Sequence, residues 1–150
     1  MRSLIVGACL LAGVGPAAAS GGLSCDTKDK AIRLSIESGV TRGMGSPIFN
    51  FRGTLQLNDR RVADDLRKTQ FEQEHVAQYW LDGKNLRLLL YRERVGNKPH
   101  GYVELIIETK GDGEGGYNGA YRLTVFDMTG DKTGEGKTLA FKGKVGCFVD

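Results

Sequence analysis

The side chains with the widest chemical range in this chain are three cysteines, two histidines and two clusters of charge. His75 and His100 have no neighbouring cysteine and no carboxylates at ligand spacing, so neither begins a metal site, and each reads as a solvated histidine at a strand edge. The run Lys110-Gly111-Asp112-Gly113-Glu114-Gly115-Gly116 has the residue types of a calcium loop without its D-x-[DN]-x-[DN]-G spacing, and a hairpin tip accounts for it better. Arg60, Arg61, Arg67 and Lys68 are interleaved with Asp64 and Asp65, the pattern of a solvated face and not of an anion site. No Ser, Cys or His stands in a recognisable nucleophile context, and no cofactor motif is present. These residues point away from an enzyme.

The cysteines report on compartment. Arg2 is the only charge before Asp26, Leu4 to Val14 is apolar, and Gly15-Pro16 leads into Ala17-Ala18-Ala19-Ser20, which together form a secretory signal with an A-x-A cleavage site after Ala19. Residues 1–19 are therefore expected to be a cleaved signal peptide and residues 20–150 a single domain. The apolar run is too short for a transmembrane helix, which needs ~20 residues. Val6-Gly7-Ala8-Cys9 resembles a lipobox but has too few residues before it, and Gly22-Leu23-Ser24-Cys25 fits that pattern poorly. Export, with the periplasm of a Gram-negative bacterium as the expected site, removes Cys9. Cys25 and Cys147 remain in an oxidising compartment, where a disulfide is expected and two buried free thiols are the alternative. The formal net charge is +3, one less without Arg2, and leaves no electrostatic footprint for nucleic acid.

The elements that must position these residues are strands. Glycine is 22 of 150 residues, about twice its usual share, whereas there are only 3 prolines, and the glycines punctuate runs of alternating apolar residues. Seven strands are predicted. Ile32, Leu34 and Ile36 form one face of the first; Phe49, Phe51, Gly53, Leu55 and Leu57 line the second. Strands at 71–81 and 86–94 flank the hairpin signal Asp82-Gly83-Lys84-Asn85. If Leu81 opposes Leu86, then Tyr79 meets Leu88, Ala77 meets Leu90 and His75 meets Arg92, with Ala77, Tyr79 and Leu81 turned inward; a two-residue Asp-Gly turn slips the pairing by two and keeps the same faces. The last three runs are 101–109 (Val103, Leu105, Ile107), 117–128 (Tyr121, Leu123, Val125) and 138–149 (Leu139, Phe141, Val145, Val149). Residues 59–70 lack alternation and allow two helical turns at most.

Such a series reads as all-β: an antiparallel up-and-down meander of seven to eight strands in a small closed or nearly closed barrel, with a flattened sandwich as the alternative. A bridge between Cys25 and Cys147 brings the ends together, and residues 21–27 can add the strand that makes the closing pair antiparallel. The inward set is long enough to fill an eight-stranded interior. The only tryptophan, Trp80, falls on the outer face, and the Gly-x-Trp signature of lipocalins is absent near the first strand.

The outer face carries the functional expectation. Val76, Trp80, Leu89, Tyr91, Tyr102, Ile106, Phe126 and Met128 all point outward on neighbouring strands, whereas Arg33, Ser35, Glu37, Asn50, Arg52, Thr54 and Gln56 occupy the outside of the first two. A one-sided apolar patch marks an interface, and Trp and Tyr are the types enriched at binding hot spots. Two other readings are that 59–70 folds over the patch, or that parity is wrong in one strand. The sequence thus predicts a non-enzymatic exported module that binds a protein, a partner such as a hydrolase it inhibits or a second copy of itself. The alternative is a carrier of a small apolar ligand inside the barrel.

Overall fold

The computed structural model describes residues 20–41, 47–129 and 132–150. The signal-like segment 1–19, with Cys9, lies outside the described residues, as do residues 42–46 and 130–131. Among the described residues there are nine antiparallel strands: β1 Ser20–Lys28, β2 Ile32–Thr41, β3 Ile48–Leu57, β4 Lys68–Glu72, β5 Val76–Leu81, β6 Asn85–Glu93, β7 Gly101–Gly111, β8 Gly116–Asp127 and β9 Lys137–Val149. One four-residue helix, α1 Asp64–Arg67, precedes β4, and a 3-10 turn, Gln73–His75, separates β4 from β5. The strands form one sheet in the order β4-β3-β2-β1-β9-β8-β7-β6-β5, curled into a nearly closed barrel.

Alternation explains the core because a strand with a two-residue period buries one face only. Ile32, Leu34 and Ile36 on β2, Leu86, Leu88 and Leu90 on β6, Val103, Leu105 and Ile107 on β7, and Tyr121, Leu123 and Val125 on β8 are all buried. Tyr121, Phe51 and Phe71 are the bulkiest fully buried side chains and fill the interior. Open grooves, such as one of about 570 Å³ over Arg33, Thr54, Gln56 and Lys68, lie on the outside.

The eighth strand is β1. It pairs antiparallel with β9, with Cys25 directly opposite Cys147, and the two are joined as a disulfide spanning 122 residues. The first and last strands are therefore stitched together in the sheet, and the barrel is split in mid-chain instead. The stretch 68–81, expected as one strand from residue 71, bonds first to β3 as β4 and, after the 3-10 turn, to β6 as β5. Arg92, at the end of β6, donates to the Gln70 carbonyl across that split.

Three local expectations are corrected. Leu81 opposes Leu86 and Tyr79 opposes Leu88 as expected, but a bulge at Ala77 places Val76 opposite Leu90, and His75 pairs with nothing on β6. An inserted residue reverses parity, so Val76 packs against the core and is not part of the outer patch, while Ala77 is exposed; Tyr79 is exposed as well, because the inner side of β5 is open at the split. A register shift between β2 and β3, with Asn50 at φ 52°, likewise turns Ile48 inward and leaves Phe49 outside, its ring against Gly39. Finally, the helical part of 59–70 is a single turn that does not lie over the outer face. Val62 and Leu66 belong to the core cluster, so this segment plugs the barrel end at which β6 stops and β7 starts.

Two features hold the interior in register. Tyr121 lies opposite Gly143, and its hydroxyl donates to Asp29 Oδ2 at 2.6 Å. A Cβ at Gly143 would sit 2.7 Å from the Tyr121 ring and 2.6 Å from that carboxylate, so any other residue there must displace the Tyr121–Asp29 pair. Burial first, then the Asp29 carboxylate, pushes the Tyr121 phenol far above its usual range. The second is Arg94, whose side chain is 3% exposed. It donates to Asp65 at 2.7 Å, Asp127 at 2.8 Å, Thr129 Oγ1 at 2.9 Å and the Pro99 carbonyl at 2.7 Å, tying α1, the β6–β7 loop and the end of β8 together.

Candidate functional site: the outer face of β6, β7 and β8

Tertiary register decides which outward residues meet. Across β6, β7 and β8, Leu89 lies opposite Ile106, and Tyr102 lies opposite both Glu93 and Phe126. Their rings close into a cluster: Tyr91–Tyr102 at 5.3 Å, Tyr102–Phe126 stacked at 5.4 Å, and His100 at 5.9 Å from Tyr102 and 5.7 Å from Phe126. These spacings fall in the range where aromatic pairs attract beyond their buried area. Leu89, Tyr91, Tyr102, Ile106 and Phe126 are half-buried on the three paired strands, and Met128 is half-buried just after β8. His100, read from the sequence as a solvated strand-edge histidine, joins this stack; its even parity with Tyr102 and Ile106 is the signal that places it there.

Trp80 lies apart from the stack. It is 58% exposed on β5, opposite Arg87, with its indole N–H donating to Asp82 Oδ2 at 2.9 Å. Gln78 stands opposite Leu89 and separates Trp80 from Tyr91 along the strand pair. Of the eight expected patch residues, six therefore form one surface, Trp80 lies beside it and Val76 has turned inward.

Polar groups border the apolar surface. Arg122 and Glu108 form an exposed ion pair at 2.9 Å beside Ile106, and the Tyr91 hydroxyl donates to Glu93 at 3.0 Å. Burial and then the Glu93 carboxylate raise the Tyr91 phenol, which holds it neutral as a hydrogen-bond donor. An apolar centre within a polar rim is the usual anatomy of a protein interface. Partial cover comes from the β8–β9 connection, where Gly136 lies so close that a Cβ there would stand 2.4 Å from the Phe126 ring. Residues 59–70 take no part.

Comparison with known proteins gives no match: no family model, no curated protein and no solved structure resembles the chain.

The other candidate groups serve the fold. Asp112 Oδ1 accepts from the backbone N–H of Glu114 at 2.7 Å and of Gly116 at 3.0 Å, so this carboxylate closes the β7–β8 turn. His75 Nδ1 accepts from the Glu72 N–H at 2.9 Å and caps the 3-10 turn. Arg61 pairs with Asp59 and Arg67 with Asp64, both at the surface. Among the described residues no three His, Cys, Asp or Glu side chains gather at metal-binding distance, and no helix is long and apolar enough to cross a membrane.

Proposed function

We propose that this chain is an exported, periplasmic β-barrel module without catalytic activity that binds a protein partner through the outer face of β6, β7 and β8. The observation that supports this reading most directly is the stack of Tyr91, Tyr102, Phe126 and His100 beside Leu89 and Ile106 on one side of the barrel. The opposite outer face, over β2, β3 and β4, carries Arg33, Ser35, Arg52, Thr54, Gln56 and Lys68. Rigid aromatic side chains on a preformed sheet lose little conformational freedom on docking, which favours their use as anchors. Export accords with the signal-like residues 1–19 and with the Cys25–Cys147 bridge, the covalent chemistry of oxidising compartments.

The test is a pull-down from periplasmic extract with wild-type protein, Tyr102→Ala and Ile106→Lys, each variant first shown to be folded. A hot-spot loss of about 2 kcal/mol or more weakens binding roughly 30-fold, so the wild type retains a partner that both variants release. A partner held equally by all three proteins would exclude this face as the binding site.

A further inference from the structure

We infer that β5 is the interface of a two-fold dimer, in which the edge strands of two copies pair antiparallel. The sheet ends on β4 and β5, and an unpaired strand edge is a template for another strand unless the chain protects it. The rest of the split is protected by side chains. Gln73 behaves as a surrogate peptide group for β3: its Oε1 accepts from the Phe51 N–H at 3.1 Å, and its Nε2 donates to the Ile48 carbonyl at 3.5 Å. Arg92 bonds the Gln70 carbonyl of β4, and Thr69 Oγ1 turns back to the Leu66 carbonyl at 3.0 Å.

Apart from the bulge at Ala77, nothing comparable protects β5. Val76–Leu81 contains no charge and no proline, and it presents side chains to solvent on both faces, Tyr79 and Trp80 among them. No described segment pairs with its free edge. Six extended residues give an edge of roughly 20 Å, long enough for a ladder.

Charge selects both the occupant and its direction. Glu72 and Glu74 precede β5 and Lys84 follows it; the Glu72 carboxylate also accepts from the His75 backbone N–H, and the Asp82 carboxylate is held by the Trp80 indole and the backbone N–H groups of Lys84 and Asn85. Two copies aligned antiparallel bring Lys84 of each toward Glu72 and Glu74 of the other, whereas a parallel pair would set the four carboxylates together. A two-fold contact uses up both free edges and closes, so the product is a dimer and not a filament. This interface is distinct from the β6–β8 face and shares only Val76 and Trp80 with the surface expected from sequence, so failure of either proposal leaves the other standing.

Sedimentation velocity on purified protein with its disulfide intact, over a concentration series up to millimolar, reads the assembly directly. The wild type is expected to shift from monomer to dimer, with slowed amide hydrogen exchange across 76–81 in the dimer. The double variant Ala77→Lys/Tyr79→Lys is expected to remain monomeric with an unchanged circular dichroism spectrum. Lys84→Glu should weaken the dimer, and Glu72→Lys/Glu74→Lys in that background should restore it. A wild type that stays monomeric throughout, or a dimer whose 76–81 amides exchange as fast as in the monomer, overturns the proposal even if the double variant fails to fold. A dimer unaffected by Lys84→Glu overturns the antiparallel arrangement.

Discussion

Replacing Arg94 by Met tests the energetic account of the barrel end. The guanidinium is almost fully buried and bonded to two carboxylates, a hydroxyl and a carbonyl, whereas Asp65 and Asp127 remain 29% and 17% exposed. Removing one partner of a fully buried ion pair costs about 3–5 kcal/mol, because the remaining charge is left without compensation. Here both carboxylates keep some water, and Asp65 keeps Lys98 at 3.5 Å, so the expected loss is about 2–4 kcal/mol. For a domain of this size that corresponds to a fall in Tm of roughly 6–16 °C. Burial acts to raise the Asp65 and Asp127 carboxyls, but the hydrogen bonds from Arg94 outweigh it and hold both below their usual value of 3.8. A depressed folded-state pKa contributes stability above the unfolded value that disappears as pH falls through the folded one. The difference between wild type and Arg94→Met should therefore be complete near neutral pH and shrink below about pH 3.8. Urea denaturation at pH 7 and pH 3, with Asp65→Asn and Asp127→Asn in double-mutant cycles, measures each quantity. A loss under about 1 kcal/mol at pH 7, or a difference unchanged at pH 3, would refute the idea that this buried cluster anchors α1 to the strands.

Other perturbations probe other parts of the molecule. Tyr121→Phe removes the buried hydroxyl from Asp29 and should cost about 1–3 kcal/mol in denaturant titration, while Gly143→Val, which has no room beside the same ring, should cost more; equal stabilities would mean that Tyr121 and Gly143 are not packed as described. Non-reducing mass spectrometry of exported protein should find Cys25 joined to Cys147 and Ser20 at or near the N-terminus. Opening the bridge, which spans 122 residues, should cost about 4–5 kcal/mol in the chain-entropy model, and two free thiols in the exported protein would contradict the pairing. Trp80 should be quenched readily by iodide in dilute solution, and Trp80→Ala should change stability by no more than about 0.5 kcal/mol; a Trp80 inaccessible to iodide in a dilute monomer would place it inside a packed region.

Strand identity and facing were legible in the sequence wherever alternation ran unbroken over several residues. The inward sets of β2, β6, β7 and β8 follow from period two alone, since any slip would bury charges such as Glu104, Glu108 and Arg122. The hairpin between β5 and β6 was legible in Asp82-Gly83-Lys84-Asn85, but its register was open between a Leu81–Leu86 pair and a pairing slipped by two, and the joining of the chain ends was expected from Cys25 and Cys147. The break at Gln73–His75 and the displaced registers at Ala77 and Asn50 were not legible. Each depends on how far a curved sheet must bend to meet a strand remote in sequence, and the local pattern of apolar residues carries no trace of that distance. The same reason moved Val76 inward, exposed Phe49 and set 62–67 in the barrel end instead of over the patch. Arg94 was hidden in the sequence because an arginine between a strand and a loop looks solvated until Asp65, Pro99, Asp127 and Thr129 converge on it. Period and turn chemistry act between neighbours and can be read along the chain; closure, bulges and buried charge depend on segments that meet only once the sheet has curled.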